Sequence, residues 1–343
     1  MNTIRFVVLS LLCAVASLCA AGPVEISFSI ETGLELDGTL LLPEGEAPEA
    51  GWPAVLLLAG SGPTDRNGDQ GPIVTGVLQQ IADDLAASGI ASLRYDKRSV
   101  TRYARDYPPL EELAAFFRLQ RFVDDAQRGM SLLRKRSEID PARVGVVGHS
   151  EGAVLALMLA NGEDPPAASA LLCGPGRPIA TILREQIFAQ LDASPEPTRS
   201  EQKAIFDEAM TAIRDGEPLP NPLPAWSRTI FNVTTTGILR DYQTTDPLSL
   251  ARGAKGPILV LNAGADIQVS VERDHEPLAE AVASREGASS RAVIIDGASH
   301  NLKAVEKPSD PGYAGPVVPG ALDALRGWLH DALGSEPANP SEP

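Results

Sequence analysis

Residues 143–160 read RVGVVGHSEGAVLALMLA and set one serine, Ser150, between Gly148 and Gly152. Val144 to Val147 precede it as a buried-strand pattern, and Val154, Leu155, Leu157, Met158 and Leu159 follow as a helical one. A Gly-x-Ser-x-Gly run at such a boundary has a mechanical meaning. The turn is so tight that the serine takes a strained backbone and its hydroxyl is thrust out at the strand's C-terminal end. A Cβ at either glycine would collide with neighbouring backbone. The bare motif arises by chance; between a strand and a helix it points to nucleophilic catalysis.

A serine hydroxyl attacks only when a base takes its proton, and imidazole is the usual base because it titrates near neutrality. The chain has four histidines. His149 adjoins Ser150, so its side chain should point away from the hydroxyl. His275 falls in the charged helix start ERDHEPL, and His330 reads as a surface or groove residue of the terminal helix. His300, in DGASHNLK, alone follows a strand read as buried, which puts it at the same sheet edge as Ser150. The base needs a carboxylate to fix its tautomer. Asp266, in GADIQVS after PILVLNA, is the candidate acid; Asp296 is the rival, four residues before the histidine, where ordering the turn is the better reading. Glu272 and Asp274 read as charges at a helix N-terminus. The order Ser150, Asp266, His300 is nucleophile, acid, base.

An oxyanion needs N–H donors. The backbone N–H of Glu151 is the first candidate. The second comes from AGSGPTDRNGD (59–69), with Ser61 preferred and Gly62 the near alternative. Asp65, Asn67 and Asp69 alternate there as in a calcium loop, but Gln70 and Gly76 fill the positions where such a loop needs glycine and glutamate. No metal or cofactor is expected, and Asp65 and Arg66 read as ties within the loop.

The elements that must carry these residues alternate between types. Strands are expected at VEISFSI, ELDGTLLLP, 53–60, 90–96, 143–148, 168–174, 257–264 and 291–297, with helices at 73–88, about 110–136, about 271–284 and about 319–334. Such alternation predicts an α/β fold whose mainly parallel sheet is covered by helices on both faces. Residues 175–250 break the alternation with amphipathic helices and the proline-rich PLPNPLP, and read as a helical insertion, a lid.

In 343 residues the formal charge is −16, which argues against a nucleic-acid partner. Arg5, the apolar run Phe6 to Leu18 and the small residues Cys19-Ala20-Ala21 read as a signal peptide cut after Ala21, which predicts a secreted or periplasmic protein with no stable membrane span. Cutting there leaves Cys173 as the only cysteine and so no internal disulfide. The domain is expected over 22–334, followed by a disordered Pro- and Glu-rich tail, 335–343. The oligomeric state is not legible.

Three blocks, GSGPTDRNGD, RYDKR (94–98) and IDPARVGVVGHSEGA, together with GADIQV and GASHNL, make the chain resemble bacterial serine α/β-hydrolases, of the carboxylesterase-like, serine-aminopeptidase-like and dienelactone-hydrolase-like branches. The likeness runs from about 24 to 334. It departs where RYDKR continues into SVTRYARD instead of a glycine turn, and where Ala153 replaces a second glycine after the elbow. The resemblance implies an α/β-hydrolase fold and hydrolysis of small acyl esters, a small-molecule substrate, by the Ser150–Asp266–His300 triad. An exopeptidase, aminopeptidase-like or thioesterase activity on the same triad is the alternative. An aminopeptidase would draw on Glu185, Asp192, Glu201, Asp207 or Glu208 of the insertion to hold an ammonium. A non-catalytic scaffold would leave a triad position vacant, and all three are filled.

Overall fold

A computed structural model describes residues 22–287, 289–307 and 310–334. The segment read as a signal, 1–21, and the tail 335–343 lie outside the described residues.

The apolar runs become one sheet. Among the described residues it has eight strands: β1 (Pro23–Ser29), β2 (Glu35–Leu41), β3 (Trp52–Leu58), β4 (Ala91–Tyr95), β5 (Ile139–His149), β6 (Ser169–Leu172), β7 (Ile258–Ala263) and β8 (Ser290–Ile295). Their spatial order is β1-β2-β4-β3-β5-β6-β7-β8. β2 pairs antiparallel with β1 and β4, and every pair from β4 to β8 is parallel. The central strands are apolar on both faces because both are covered. Leu56, Leu58, Val144 and Val146 face α3 (Leu119–Arg134) and α4 (Glu151–Ala160). Val55, Leu57, Val147 and Leu259 face α1 (Val77–Ala87) and the terminal helix Pro319–Leu333.

Several boundaries depart from the periodicity. The helix expected from 73 begins at Val77, because Asp69 Oδ1 accepts the Thr75 and Gly76 N–H groups and Gly76 turns left-handed at φ 55°. The helix expected over 110–136 is broken. A short helix, α2 (Leu113–Phe116), ends before Arg118, whose backbone is extended at φ −74°, ψ 145°. α3 then starts at Leu119, whose N–H is capped from far away by Asp241 Oδ2 at 2.7 Å. The same carboxylate grips Arg118 Nε at 2.7 Å, a pairing with no local signature. β8, read as a buried strand, is the sheet's edge and is largely exposed. SVTRYARD forms a 3-10 turn at Thr101–Asp106.

Between β6 and β7 run α5 (Ile179–Leu191), α6 (Thr198–Asp215), α7 (Thr236–Thr244) and α8 (Pro247–Gly253). A π-turn at Val271–His275 leads into α9 (Glu276–Ala283), and α10 is the terminal helix Pro319–Leu333. Among the described residues no helix is long and apolar enough to cross a membrane.

Candidate active site

Ser150 follows β5, Ser61 follows β3, Lys97 follows β4, Asp266 follows β7 and His300 follows β8. In a parallel sheet those loops share the carboxyl edge, where α/β folds place their ligands.

At the β5–α4 turn Ser150 sits at φ 57°, ψ −121°, a rare conformation for a residue with a side chain. The turn is held by the Ser150 N–H on the Leu172 carbonyl at 2.9 Å and the Ala153 N–H on the Ser150 carbonyl at 2.9 Å. A Cβ on Gly148 would lie 2.0 Å from the Gly152 oxygen, and one on Gly152 would lie 2.3 Å from the Leu58 oxygen. A Cβ on Gly60 would come 3.2 Å from the Ser150 Cβ, so the loop after β3 presses its backbone against the serine.

Asp266 Oδ2 accepts from His300 Nδ1 at 2.7 Å, while its Oδ1 accepts the Gln268 and Val269 N–H groups at 2.7 and 2.9 Å. A carboxylate can only accept here, so Nδ1 carries the proton and the neutral ring keeps a lone pair on Nε2. Asp296, the rival acid, is exposed. Ser150 and His300 line one cavity of about 520 Å³, with Ser61, Gly62 and Glu151 also in its wall. Phe117, Phe122, Ile179, Ile182, Leu183 and Leu239 supply much of its apolar lining.

The other histidines have different surroundings. His149 is buried and its Nε2 donates to the His300 carbonyl at 2.8 Å. Burial, helped by the neighbouring His300, pushes its pKa down to about 4. His275, expected in a charged helix start, is buried against Asn262 Oδ1 at 3.1 Å, and His330, expected at the surface, is also buried. Cys173 follows β6 at φ 49°, and burial pushes its thiol pKa up. His149, Cys173 and His300 bring donor atoms within 4.8 Å of one another. Two of the imidazole nitrogens in that group are already bonded to the His300 carbonyl and to Asp266, so the cluster is read as the packed floor of the site.

The alpha/beta hydrolase family matches residues 50–333. The chain belongs to that family. Among curated proteins, esterase EstD of Thermotoga maritima is 25% identical over 297 residues, covering 86% of this chain and 65% of that protein. This chain therefore spans just under two thirds of that esterase. Of solved structures, a puromycin-hydrolyzing peptidase of Mycobacterium tuberculosis superposes with TM-score 0.59 at 23% identity, over 92% of this chain and 41% of that one. The esterase domain of a Rhodothermus marinus protein superposes with TM-score 0.53 at 16% identity, over 91% of this chain and all of that one, 100%. Both of these structures share the fold.

Three features of this alpha/beta hydrolase escaped the sequence reading. Lys97, within RYDKR, is buried; its ammonium donates to Glu151 Oε1 at 2.6 Å and to the Gly60 carbonyl at 2.8 Å. The Tyr242 hydroxyl, on α7, donates to Glu151 Oε2. Asp274, read as a helix-terminal charge, is fully buried and accepts from the Gly176 and Arg177 backbone and the Arg177 guanidinium, anchoring the chain just after β6. A lysine after a strand was a usable signal for the first. The partners of Tyr242 and Asp274 lie 91 and 98 residues away, beyond any local pattern.

Proposed function

We propose that this hydrolase cleaves small carboxylic esters with uncharged, apolar acyl groups, using Ser150 as nucleophile, His300 as base and Asp266 as the acid behind it. One observation carries the reading. The elbow serine and an imidazole whose Nδ1 is held by a buried carboxylate at 2.7 Å open into the same cavity. Ser150 Oγ attacks the ester carbonyl as His300 Nε2 takes its proton, and the resulting imidazolium is stabilised by Asp266. The Glu151 and Ser61 N–H groups receive the oxyanion. Collapse of the tetrahedral intermediate breaks the C–O bond, and His300 returns the proton to the leaving alcohol. Water, deprotonated by His300, then attacks the acyl-enzyme carbonyl; the bond to Ser150 Oγ breaks, the carboxylic acid leaves, and His300 returns the proton to Ser150 Oγ.

The charge inventory favours an ester over an aminoacyl amide. The charged side chains in the cavity wall are Lys97, Glu151 and His300 when protonated, and the first two pair with each other. Glu185 is paired with Arg177 and Arg273, Asp192 with Lys203 and Asp207 with Arg184, while Glu201 and Glu208 are exposed; none of the five lines the cavity. Among the described residues no unpaired carboxylate lines the cavity to hold a substrate ammonium. Ser150→Ala should fold as the parent does and lose p-nitrophenyl butyrate turnover by about 10³-fold or more. Near-parental turnover would remove Ser150 from the mechanism. The parent should prefer that ester to aminoacyl-p-nitroanilides, and the reverse preference would move the reading to a peptidase.

A further inference from the structure

Lys97 is 3% exposed and Glu151 2% exposed, so their ion pair lies out of water beneath the nucleophile turn. Such a pair is poor economy if stability is its only purpose, since apolar groups of the same volume often serve as well or better. Its two bonds have a more specific consequence. The Gly60 carbonyl and the Ser61 N–H are opposite ends of one planar peptide, so whatever holds the oxygen also aims the hydrogen. That peptide lies close against Ser150: a Cβ added to Gly60 would come 3.2 Å from the Ser150 Cβ. The other bond goes to the side chain of Glu151, the residue whose own N–H is the partner donor to that of Ser61. Tyr242 holds the remaining carboxylate oxygen, and the Phe122 ring lies 4.8 Å from the ammonium.

We propose that Lys97 is a positioning residue that clamps both oxyanion donors, the Gly60–Ser61 peptide through its carbonyl and Glu151 through its carboxylate. The proposal rests on the reading of Ser150 as the nucleophile. A cation on the carbonyl oxygen also polarises the amide and makes its N–H a stronger donor. The clamp prepares the donors before the substrate arrives, which is where oxyanion stabilisation gains its advantage over water. Through Tyr242 it also joins the oxyanion site to α7, so a displacement of that helix reaches the chemistry.

The test compares Lys97→Met, Glu151→Gln and the double variant Lys97→Met/Glu151→Gln, which leaves no unpaired buried charge if the single lysine variant fails to fold. Thermal melts establish folding, and prolonged fluorophosphonate labelling with peptide mapping establishes that Ser150 still reacts. Removing one oxyanion donor outright costs about 10²–10³ in rate, so loosening both should lower kcat for p-nitrophenyl butyrate by about 10- to 100-fold. KM should stay within about threefold of the parent, because the ground-state ester does not use the donors. The inhibition constant of a trifluoromethyl ketone, which forms a tetrahedral oxyanion on the serine, should rise by the same factor as kcat falls. Glu151→Gln, which leaves Lys97 on Gly60, should lose less than Lys97→Met. A folded double variant with kcat within about threefold of the parent, or a fall in kcat with the ketone bound as tightly as before, overturns the clamp. A parent that fails to label at Ser150 overturns the nucleophile and the clamp together; labelling of the parent beside full activity of the double variant overturns the clamp alone.

Discussion

Around Ser150 the neighbouring side chains are chosen as much for what they do not do as for what they do. His149 is beside Ser150, yet its Nε2–H is spent on the His300 carbonyl and its pKa is pushed down to about 4, chiefly by burial. It therefore stays neutral at neutral pH and adds no charge next to His300. The linkage has a definite sign. Below the ordinary value of 6.5 the unfolded chain protonates this ring while the folded chain does not, until about pH 4. Stability is full above 6.5 and falls as pH drops from 6.5 towards 4, by about 3 kcal/mol from this group at most. Urea unfolding of the parent and of His149→Gln between pH 4 and 7 should give profiles that diverge in that window, the parent losing more. Parallel profiles would mean that the ring is protonated in the fold.

The elbow works because a strand and a helix meet with no room to spare. Gly152 lets α4 lie on the backbone of β3, and the 2.3 Å that would separate an added Cβ from the Leu58 oxygen can be relieved only by moving one of the two elements. Gly152→Ala should therefore cost about 1–3 kcal/mol by overpacking. Because it tilts the turn that aims Ser150, it should also cut turnover by about 10²-fold, the usual penalty for an ångström of misplacement. Gly327 in α10 is the contrasting site, with nothing within 4 Å of its added Cβ. Gly327→Ala should stabilise by about 0.5–1 kcal/mol and leave turnover unchanged. Denaturation midpoints and kcat for the two variants check both expectations; equal behaviour would mean that the elbow is not sterically committed. The break between α2 and α3 belongs to this scale too. Local periodicity predicted one helix, and Asp241 of α7 overrode it by capping Leu119 and binding Arg118.

For the whole molecule, we propose that the chain is exported and that cleavage of residues 1–21 leaves Gly22 as the new N-terminus. Export from an expressing bacterium followed by N-terminal sequencing should return GPVEIS, and a protein retained in the cytoplasm with Met1 intact would contradict it. What the sequence determined by itself was the order of elements, the strand-to-helix glycine–serine turn, and the residues that end up at one sheet edge. Those features are written in short windows, since a buried strand needs a continuous apolar run and a tight turn needs glycine. Asp266 could be preferred over Asp296 on paper, but only the fold put one carboxylate 2.7 Å from His300 and left the other exposed. Tertiary structure alone decided that β8 is an edge, that Asp274 and His330 are buried, and that Lys97, Glu151 and Tyr242 converge. These are contacts between segments far apart in the chain, and hydrophobic periodicity records which face of an element is buried without recording which element covers it.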